Sequence, residues 1–183
     1  MELLENLQKL RRQLARADFE RRFAHPWLLR ELEDDERPAL FRTMVTHVKK
    51  IAAPPPFGRK PIAPEKLAGH LASEPGRFGA YPLVKSGSNP WSDRVLVGRA
   101  SNNDIVLKND RISKLHAYFQ YHGRETARGG WRLYDARSAN GTRIDGIVVP
   151  PGEEGLEVRG GQVVHFGTVG TQLLDSGALY DAI

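Results

Sequence analysis

The chain has 183 residues, of which 40% are hydrophobic and 27% are charged, a composition that is ordinary for a soluble globular protein. It contains no cysteine, which excludes disulfides, cysteine-ligated zinc and thiolate nucleophiles. The formal net charge is +5, but residues 1–53 carry 11 basic and 9 acidic side chains, residues 54–79 carry 4 and 2, and residues 80–183 carry 12 and 11.

The positive charge is therefore spread along the chain. Nucleic-acid-binding modules usually carry a concentrated basic stripe, so the even spread favours solvated faces and no nucleic-acid partner. The first residues, MELLENLQKLRR, include early acidic side chains and no continuous apolar stretch, unlike a secretory signal or a membrane anchor. We expect a cytoplasmic protein with no membrane partner.

Apolar residues repeat at spacings of three and four near the amino terminus, at Leu3, Leu7, Leu10, Leu14 and Ala17. This spacing predicts one apolar seam on an α-helix. The seam is shorter than the three or four heptads that indicate a coiled coil. We expect it to pack against neighbouring helices of the same chain, with a homodimer through the amino-terminal helices as the alternative.

Further bulky apolar residues surround Pro26, where a helix should break or restart: Phe19, Phe23, Trp27, Leu28 and Leu32. The acidic run at residues 33–36 then precedes a second periodic apolar stretch at residues 40–48. Acidic residues favour the amino terminus of a helix. The pattern predicts three short helices, and residues 1–53 are interpreted as a helical amino-terminal region.

Three consecutive prolines, Pro54, Pro55 and Pro56, end this helical pattern because they favour extended polyproline geometry. Residues 54–79 are rich in proline and glycine, and only residues 64–71 indicate one or two helical turns. A stiff spacer is favoured over a ligand for a proline-binding module. We interpret this segment as a linker.

From residue 80 onward the apolar pattern changes to short β-branched and aromatic runs separated by turns. Strands are predicted at residues 82–85, 94–97, 105–107, 116–121, 131–134, 163–166 and 171–174, and a tight hairpin is predicted at residues 142–149 around Asp145 and Gly146. Many short strands with regularly spaced turns favour an antiparallel β-sandwich. The predicted fold class is mainly β, with a small α-helical region in front.

Three polar clusters lie beside these strands: Gly98 with Arg99, residues 113–116 with the sequence SKLH, and residues 138–142 with the sequence SANGT. Arginine matches phosphate or carboxylate oxygens, serine adds a hydroxyl donor, and asparagine offers both a donor and an acceptor. The motifs GR, NDI, SxxH and SxNGT, in this order, resemble those of the forkhead-associated (FHA) domain over about residues 80–183. The resemblance implies a two-sheet sandwich of roughly ten or eleven short strands, with loops at one end that grip a peptide.

The resemblance also implies which residues bind that peptide. Arg99 and Ser113 match the family residues that bind the phosphate of a phosphothreonine, and Lys114 would add a third contact to the phosphate. Asn140 matches the asparagine that bonds the main chain of the peptide. The sequence departs from the family at Ala139, where many members carry a hydroxyl residue, so one possible phosphate contact is missing.

Other matching positions are expected to support the site. His116 matches the family histidine that braces the binding loops, and Gly98, Gly141 and Thr142 are assigned structural roles, the glycines by supplying backbone freedom at tight turns. Arg111 lies in the loop that the family uses to read side chains after the phosphothreonine. We expect it either to favour an acidic residue three positions downstream or to be simply solvated.

The resemblance implies an adaptor that binds phosphothreonine peptides and recruits phosphorylated partners in Ser/Thr kinase signalling, with a kinase or its substrate as partner. The alternative is a structural or assembly adaptor that binds its partner independently of phosphate. An enzyme is not expected, because the chain contains no HExxH, Walker or GxSxG motif. We assign no catalytic residue, no metal and no cofactor.

Overall fold

Two β-sheets packed face to face form the centre of the fold in the computed structural model, which describes residues 2–33, 36, 64–73, 75–87, 89–123, 130–152 and 154–183. The strands are β1 (Glu2–Leu3), β2 (Trp27–Glu31), β3 (Phe78–Pro82), β4 (Arg94–Gly98), β5 (Ile105–Val106), β6 (Ala117–His122), β7 (Gly130–Asp135), β8 (Thr142–Ile144), β9 (Ile147–Val148), β10 (Leu156–Val158), β11 (Val163–Phe166) and β12 (Val169–Leu174). The predicted mainly-β, two-sheet fold is confirmed.

The order of the strands separates the chain into a larger and a smaller sheet. The larger sheet has seven strands in the order β1-β3-β2-β12-β11-β8-β9, and the smaller has five in the order β10-β7-β6-β4-β5. Neighbouring strands are antiparallel except β4 and β5, which are parallel. Buried side chains from both sheets, including Val97, Phe119, Leu133 and Phe166, form the core between them.

Four α-helices cover the outer face of the larger sheet. They are α1 (Leu4–Gln13), α2 (Arg16–Arg22), α3 (Pro64–Ser73) and α4 (Ser176–Ala182), and a short 3₁₀ turn, Pro75–Arg77, follows α3. A second apolar cluster joins helix residues such as Leu7, Phe19 and Leu71 to sheet residues such as Leu29 and Leu174. In the described ranges, no helix has the length and apolar character needed to cross a bilayer.

Strand β2 differs from the helix that the sequence predicted around Pro26. Trp27 and Leu29 lie in the outer cluster, whereas Leu28 lies in the inner core, so successive side chains alternate between the two faces of the sheet. A strand buried on both faces has a continuous apolar run, which periodicity alone does not distinguish from a buried helix. Contacts with the neighbouring strands therefore determine that this segment forms a strand and not a helix.

The position of β2 joins the amino-terminal segment to the rest of the molecule. Leu28 lies opposite Tyr81 of β3 on one side and opposite Leu173 of β12 on the other, so β2 is an internal strand. The third helix, predicted from the apolar stretch at residues 40–48, lies outside the described residues. The division of the chain into residues 1–53, 54–79 and 80–183 stays a prediction.

The apolar seam of α1 is partly buried within its own chain. Leu4 and Leu7 are each 1% exposed and contribute to the cluster under the helices. This packing agrees with the expectation that the seam contacts the same chain. Dimerisation through the amino-terminal helices stays a prediction.

The hairpin predicted around Asp145 and Gly146 is present between β8 and β9. Both residues have positive φ, 50° and 86°, as a two-residue type I′ turn requires. Strand β10 was not predicted, because Leu156–Val158 is short and its sequence, LEV, has little strand pattern of its own. It forms only by pairing with β7.

Substitution of Leu28 by alanine tests the internal position of β2. Leu28 is fully buried in the sandwich core, and a buried Leu→Ala change typically costs about 2 to 5 kcal/mol. We expect chemical denaturation to show a loss of that size in the free energy of unfolding. The matched control is Ile147→Ala, because Ile147 is 66% exposed. Equal, small effects of the two substitutions would contradict an internal β2.

Candidate functional site

Three loops that meet at one end of the sandwich carry the sequence-predicted site residues. They connect β4 to β5, β5 to β6 and β7 to β8. The amide of Arg99 in the first loop donates a hydrogen bond to the carbonyl oxygen of Ser113 in the second, at 3.0 Å. The third loop contacts the second through Ala139 and Asn140. The fold thus places residues distant in sequence in one polar surface.

Gly98 is required by the close approach of the first two loops. A Cβ atom built at Gly98 would lie 2.3 Å from the carbonyl oxygen of Lys114, a main-chain atom that cannot turn away. The sequence analysis assigned Gly98 to backbone freedom, but the structure gives close packing as the reason. Gly141 has a φ of 71°, which glycine adopts without strain.

Asn103 links the same two loops by hydrogen bonds. Its side chain is buried, and its Nδ2 donates to the carbonyl oxygens of Ala100 and Lys114, each at 2.7 Å. The bond to Lys114 is a second, non-local contact, and it holds the main chain that precedes His116.

Asp104 binds a further loop to β4. Its carboxylate accepts hydrogen bonds from the amide of Ser86 at 2.7 Å, from the hydroxyl of Ser86 at 2.8 Å and from the amide of Leu96 at 2.7 Å, as well as from Asn89. The partners Ser86 and Asn89 are distant in sequence. No local signal in the sequence predicted this role.

The hydroxyl of Ser113 is positioned to donate to a ligand. The main-chain amide of Ala139 donates to Ser113 Oγ at 3.0 Å. Since a hydroxyl has one hydrogen and two acceptor lone pairs, this bond uses an acceptor site and leaves the hydrogen free. The backbone of Ala139 therefore orients Ser113 although its side chain has no hydroxyl to contribute.

Asn140 is exposed at the rim of the site and is linked to the second loop. Its Nδ2 donates to the carbonyl oxygen of Arg111 at 2.7 Å. A primary amide has a second N–H and a carbonyl oxygen, and both remain available for a peptide main chain. The side chain of Arg111 is also exposed, so it extends the basic surface beside Asn140.

His116 lies beneath the loops and hydrogen-bonds to two of them. Its Nδ1 accepts from the amide of Ser113, and its Nε2 lies 3.1 Å from the carbonyl oxygen of Gly141, to which it donates. These two bonds require the neutral imidazole with its proton on Nε2. Burial lowers the pKa of His116 below its usual value, which favours the same neutral form.

The third loop has a separate buried brace. The carboxylate of Asp135, which is 1% exposed, accepts hydrogen bonds from the amide and hydroxyl of Ser138 at 2.8 and 2.7 Å. It also accepts from the hydroxyl of Thr142 at 2.5 Å. Asp135 was missed by the sequence analysis, whereas Thr142 was assigned a structural role.

The cationic side chains of the site lack partners within the part of the chain that the structure describes. Arg99, Lys114 and Arg111 are exposed, and no ion pair or side-chain hydrogen bond engages them there. Free guanidinium and ammonium groups beside a free hydroxyl bind oxyanions well. The arrangement can hold a phosphate.

A cavity of about 410 Å³ adjoins Arg99. The described residues that line it are Glu33, Arg99, Lys108, Asn109 and Asp110. The sequence analysis did not assign Glu33 to the site, because it follows β2 in a segment interpreted as helical. Among the described residues no group of His, Asp and Glu side chains could hold a metal ion.

Substitution of His116 by glutamine tests the brace, because it removes at least one of the two hydrogen bonds. Leaving a buried amide or carbonyl group unpaired costs about 1 to 3 kcal/mol, and we expect that loss in the free energy of unfolding near neutral pH.

The stability lost in His116→Gln should depend on pH. The pKa of His116 is lowered in the folded state from 6.5, so its contribution to stability is present above that pH and is lost as the pH falls below it. Chemical denaturation from about pH 8 to about pH 5 should show that the free energies of unfolding of the wild type and His116→Gln converge at acidic pH. A constant difference would contradict a neutral His116; His25 and His165 are present in both proteins and cancel.

Solved structures of FHA domains are similar to parts of this chain. The MEK1 FHA domain, in complex with a HOP1 phosphothreonine peptide, is 21% identical, with 53% of this chain and 88% of that chain covered and a TM-score of 0.43. The FHA domain of the CT664 protein from Chlamydia trachomatis is 18% identical, with 82% and 97% covered and a TM-score of 0.45. No curated protein sequence matches the chain.

The family comparison concerns the strands and loops that build the site. The family model described as the FHA domain matches residues 95–167. This stretch runs from β4 to the end of β11 and includes all three loops. Residues 95–167 of the chain are therefore identified as an FHA domain.

Proposed function

We propose that the chain is a phosphopeptide-binding module that reads phosphothreonine. In this proposal Arg99, Ser113 and Lys114 hold the phosphate, and Asn140 hydrogen-bonds to the main chain of the peptide. The observation that carries the proposal is the main-chain hydrogen bond between Arg99 and Ser113, which joins two loops that carry suitable donors. One donor is the Arg99 guanidinium, which has no partner among the described residues, and the other is the Ser113 hydroxyl, whose acceptor side is already used by Ala139. A dianionic phosphate supplies the acceptors that these donors lack.

The expected affinity follows from the number of charged contacts. A hydrogen bond to a charged group contributes about 1.5 to 3 kcal/mol, so two or three of them determine most of the binding of a short peptide. Ala139 provides no hydroxyl, which removes one contact. The site should therefore bind its peptide with lower affinity than a site that has a hydroxyl there.

The partners follow from the same chemistry. The ligand is a phosphothreonine-containing protein, a Ser/Thr kinase or a kinase substrate, and the chain acts in the cytoplasm as a noncatalytic signalling adaptor. The MEK1 FHA domain was solved with a phosphothreonine peptide of HOP1, whereas the proposal for this chain depends on its own loops and on the family match. The amino-terminal helices would supply a second docking or homodimer surface.

Arg111 is proposed to select the residue three positions after the phosphothreonine. Its side chain is exposed, and its main-chain carbonyl accepts a hydrogen bond from Asn140, which would bind the peptide main chain. An acidic ligand side chain there would gain an opposite charge. A phosphothreonine peptide library should show an acidic preference that Arg111→Ala removes, and a library without it would discard this assignment.

A second candidate is a phosphate-independent adaptor in which the same fold serves as a scaffold. The missing hydroxyl at Ala139 favours it, because a relaxed phosphate site would tolerate this loss. The two candidates differ in one observable property, the dependence of binding on the phosphate.

Titration of phosphothreonine peptides against the wild type and Arg99→Ala separates these candidates. We expect binding that requires the phosphate and falls at least about tenfold in the variant, equivalent to about 1.4 kcal/mol. Calorimetry or fluorescence measures it, with unphosphorylated and phosphoserine peptides for comparison. Arg12→Ala is the matched control, since it removes an equal charge from an exposed position on α1.

Two outcomes would contradict phosphate reading by Arg99. One is equal binding of phosphorylated and unphosphorylated peptides, which would support the scaffold. The other is an equal loss of affinity in Arg99→Ala and Arg12→Ala, which would reflect net charge alone.

A further inference from the structure

The cavity beside Arg99 is lined by both positively and negatively charged side chains. Arg99 and Lys108 contribute cations, Glu33 and Asp110 contribute carboxylates, and Asn109 is the fifth described residue of the lining. Four of these residues belong to the stretch that matches the family model, whereas Glu33 lies far outside it, two residues after the end of β2. The amino-terminal segment therefore supplies part of a wall next to the proposed phosphate position.

Glu33 is held at this wall by its neighbours. Its main-chain amide donates to Glu36 Oε2 at 3.0 Å, and that carboxylate also forms an ion pair with Arg30. The Arg30 side chain is 1% exposed, and β2 holds Arg30 inside the larger sheet. A buried ion pair thus anchors the main chain of Glu33 while its own carboxylate faces no partner among the described residues.

Asp110 is in a similar position on the opposite loop. It is exposed, and its carboxylate has no ion pair or hydrogen bond in the described ranges. Its neighbour Asn109 accepts a hydrogen bond from the amide of Arg111 at 2.8 Å, which fixes the turn. The cavity therefore has two carboxylates whose main-chain positions are fixed and whose charges are unpaired.

Binding of a phosphate changes the charge balance of the cavity. Among the described residues, the cavity is lined by two cations and two carboxylates, whose charges balance. A phosphate carries about two negative charges near neutral pH and would occupy Arg99. Once the phosphate neutralises Arg99, the two carboxylates outnumber the one other cation, Lys108, among the described lining residues, and they would attract a cation close to the phosphothreonine.

We propose that Glu33 and Asp110 form a subsite for a lysine or arginine side chain of the ligand, adjacent to its phosphothreonine. This inference depends on the proposed phosphothreonine reading. Arg111 does not line the cavity, so the preferred peptide has a basic residue on the Glu33 side and an acidic residue on the Arg111 side. The two ends of the ligand are then distinguished by charge.

The subsite assigns a function to the amino-terminal segment. Residues 95–167 contain the phosphate-binding loops but not Glu33. Peptide choice would depend on an anchored carboxylate that the FHA domain receives from β2 and the residues after it. The full chain, and not the matched stretch alone, would determine which phosphothreonine is read.

A phosphothreonine peptide series tests the subsite. At each position flanking the phosphothreonine the series carries Lys, Ala or Glu, and the full chain is titrated as wild type, Glu33→Gln, Asp110→Asn and Glu154→Gln. Glu154 is exposed and outside the cavity, so it controls for net charge. We expect one position at which the wild type prefers Lys to Glu, and we expect each cavity variant to reduce that ratio about threefold, the range of an exposed ion pair. Raised salt should reduce it further.

The ratio of Lys to Glu peptides separates the subsite from general repulsion. Removing Glu33 should also strengthen all phosphopeptides, because a nearby carboxylate repels phosphate, but general repulsion leaves the ratio unchanged. An unchanged ratio, or an equal change in Glu154→Gln, overturns the subsite while phosphate-dependent binding persists. Loss of phosphate dependence in the wild type would overturn the proposed function itself and the subsite with it.

Discussion

The buried imidazole of His116 hydrogen-bonds to two loops at once, and the placement of the polar side chains above it depends on those bonds. One bond fixes the amide of Ser113, whose carbonyl in turn receives the amide of Arg99. The other fixes Gly141, which follows Asn140 in the third loop. A phosphate site needs donors held in one geometry before the ligand arrives, since ordering them on binding costs entropy.

The larger sheet supports this end of the molecule by including residues from both termini. Strand β2 lies between β3 and β12, so the segment before residue 34 is part of the sandwich. Helices from the two termini then bury the outer face of that sheet. One consequence is structural, because β2 is an internal strand of the larger sheet. The other is that the chain leads from β2 to Glu33, which lines the cavity beside Arg99.

The sequence predicted the parts of the site that depend on local chemistry. The GR, SxxH and NGT motifs pointed to Arg99, Ser113 and Asn140, and the structure brings them together, while their roles in binding stay proposals. The Asp145 and Gly146 turn was predictable because positive φ at two successive residues has a strong local signature.

Other features depended on contacts between distant residues and were not predictable in this way. The sequence of Trp27–Glu31 is compatible with either a buried helix or a buried strand. Pairing with β3 and β12 determines that it forms a strand. Asp104 and Asp135 are ordinary carboxylates in the sequence, and only the fold shows the amides that surround them. Gly98 was identified, but its reason, the nearby carbonyl of Lys114, is a tertiary contact.

We propose that the three loops together bind a phosphorylated peptide. Mapping of amide NMR shifts in the full chain on addition of a phosphothreonine peptide tests it most directly. We expect the amide signals of Arg99, Ser113 and Ala139 to shift most with the phosphorylated peptide and to stay unchanged with the unphosphorylated peptide. Shifts concentrated on the helices or on the exposed edge strand β9, or shifts that ignore the phosphate, would contradict it.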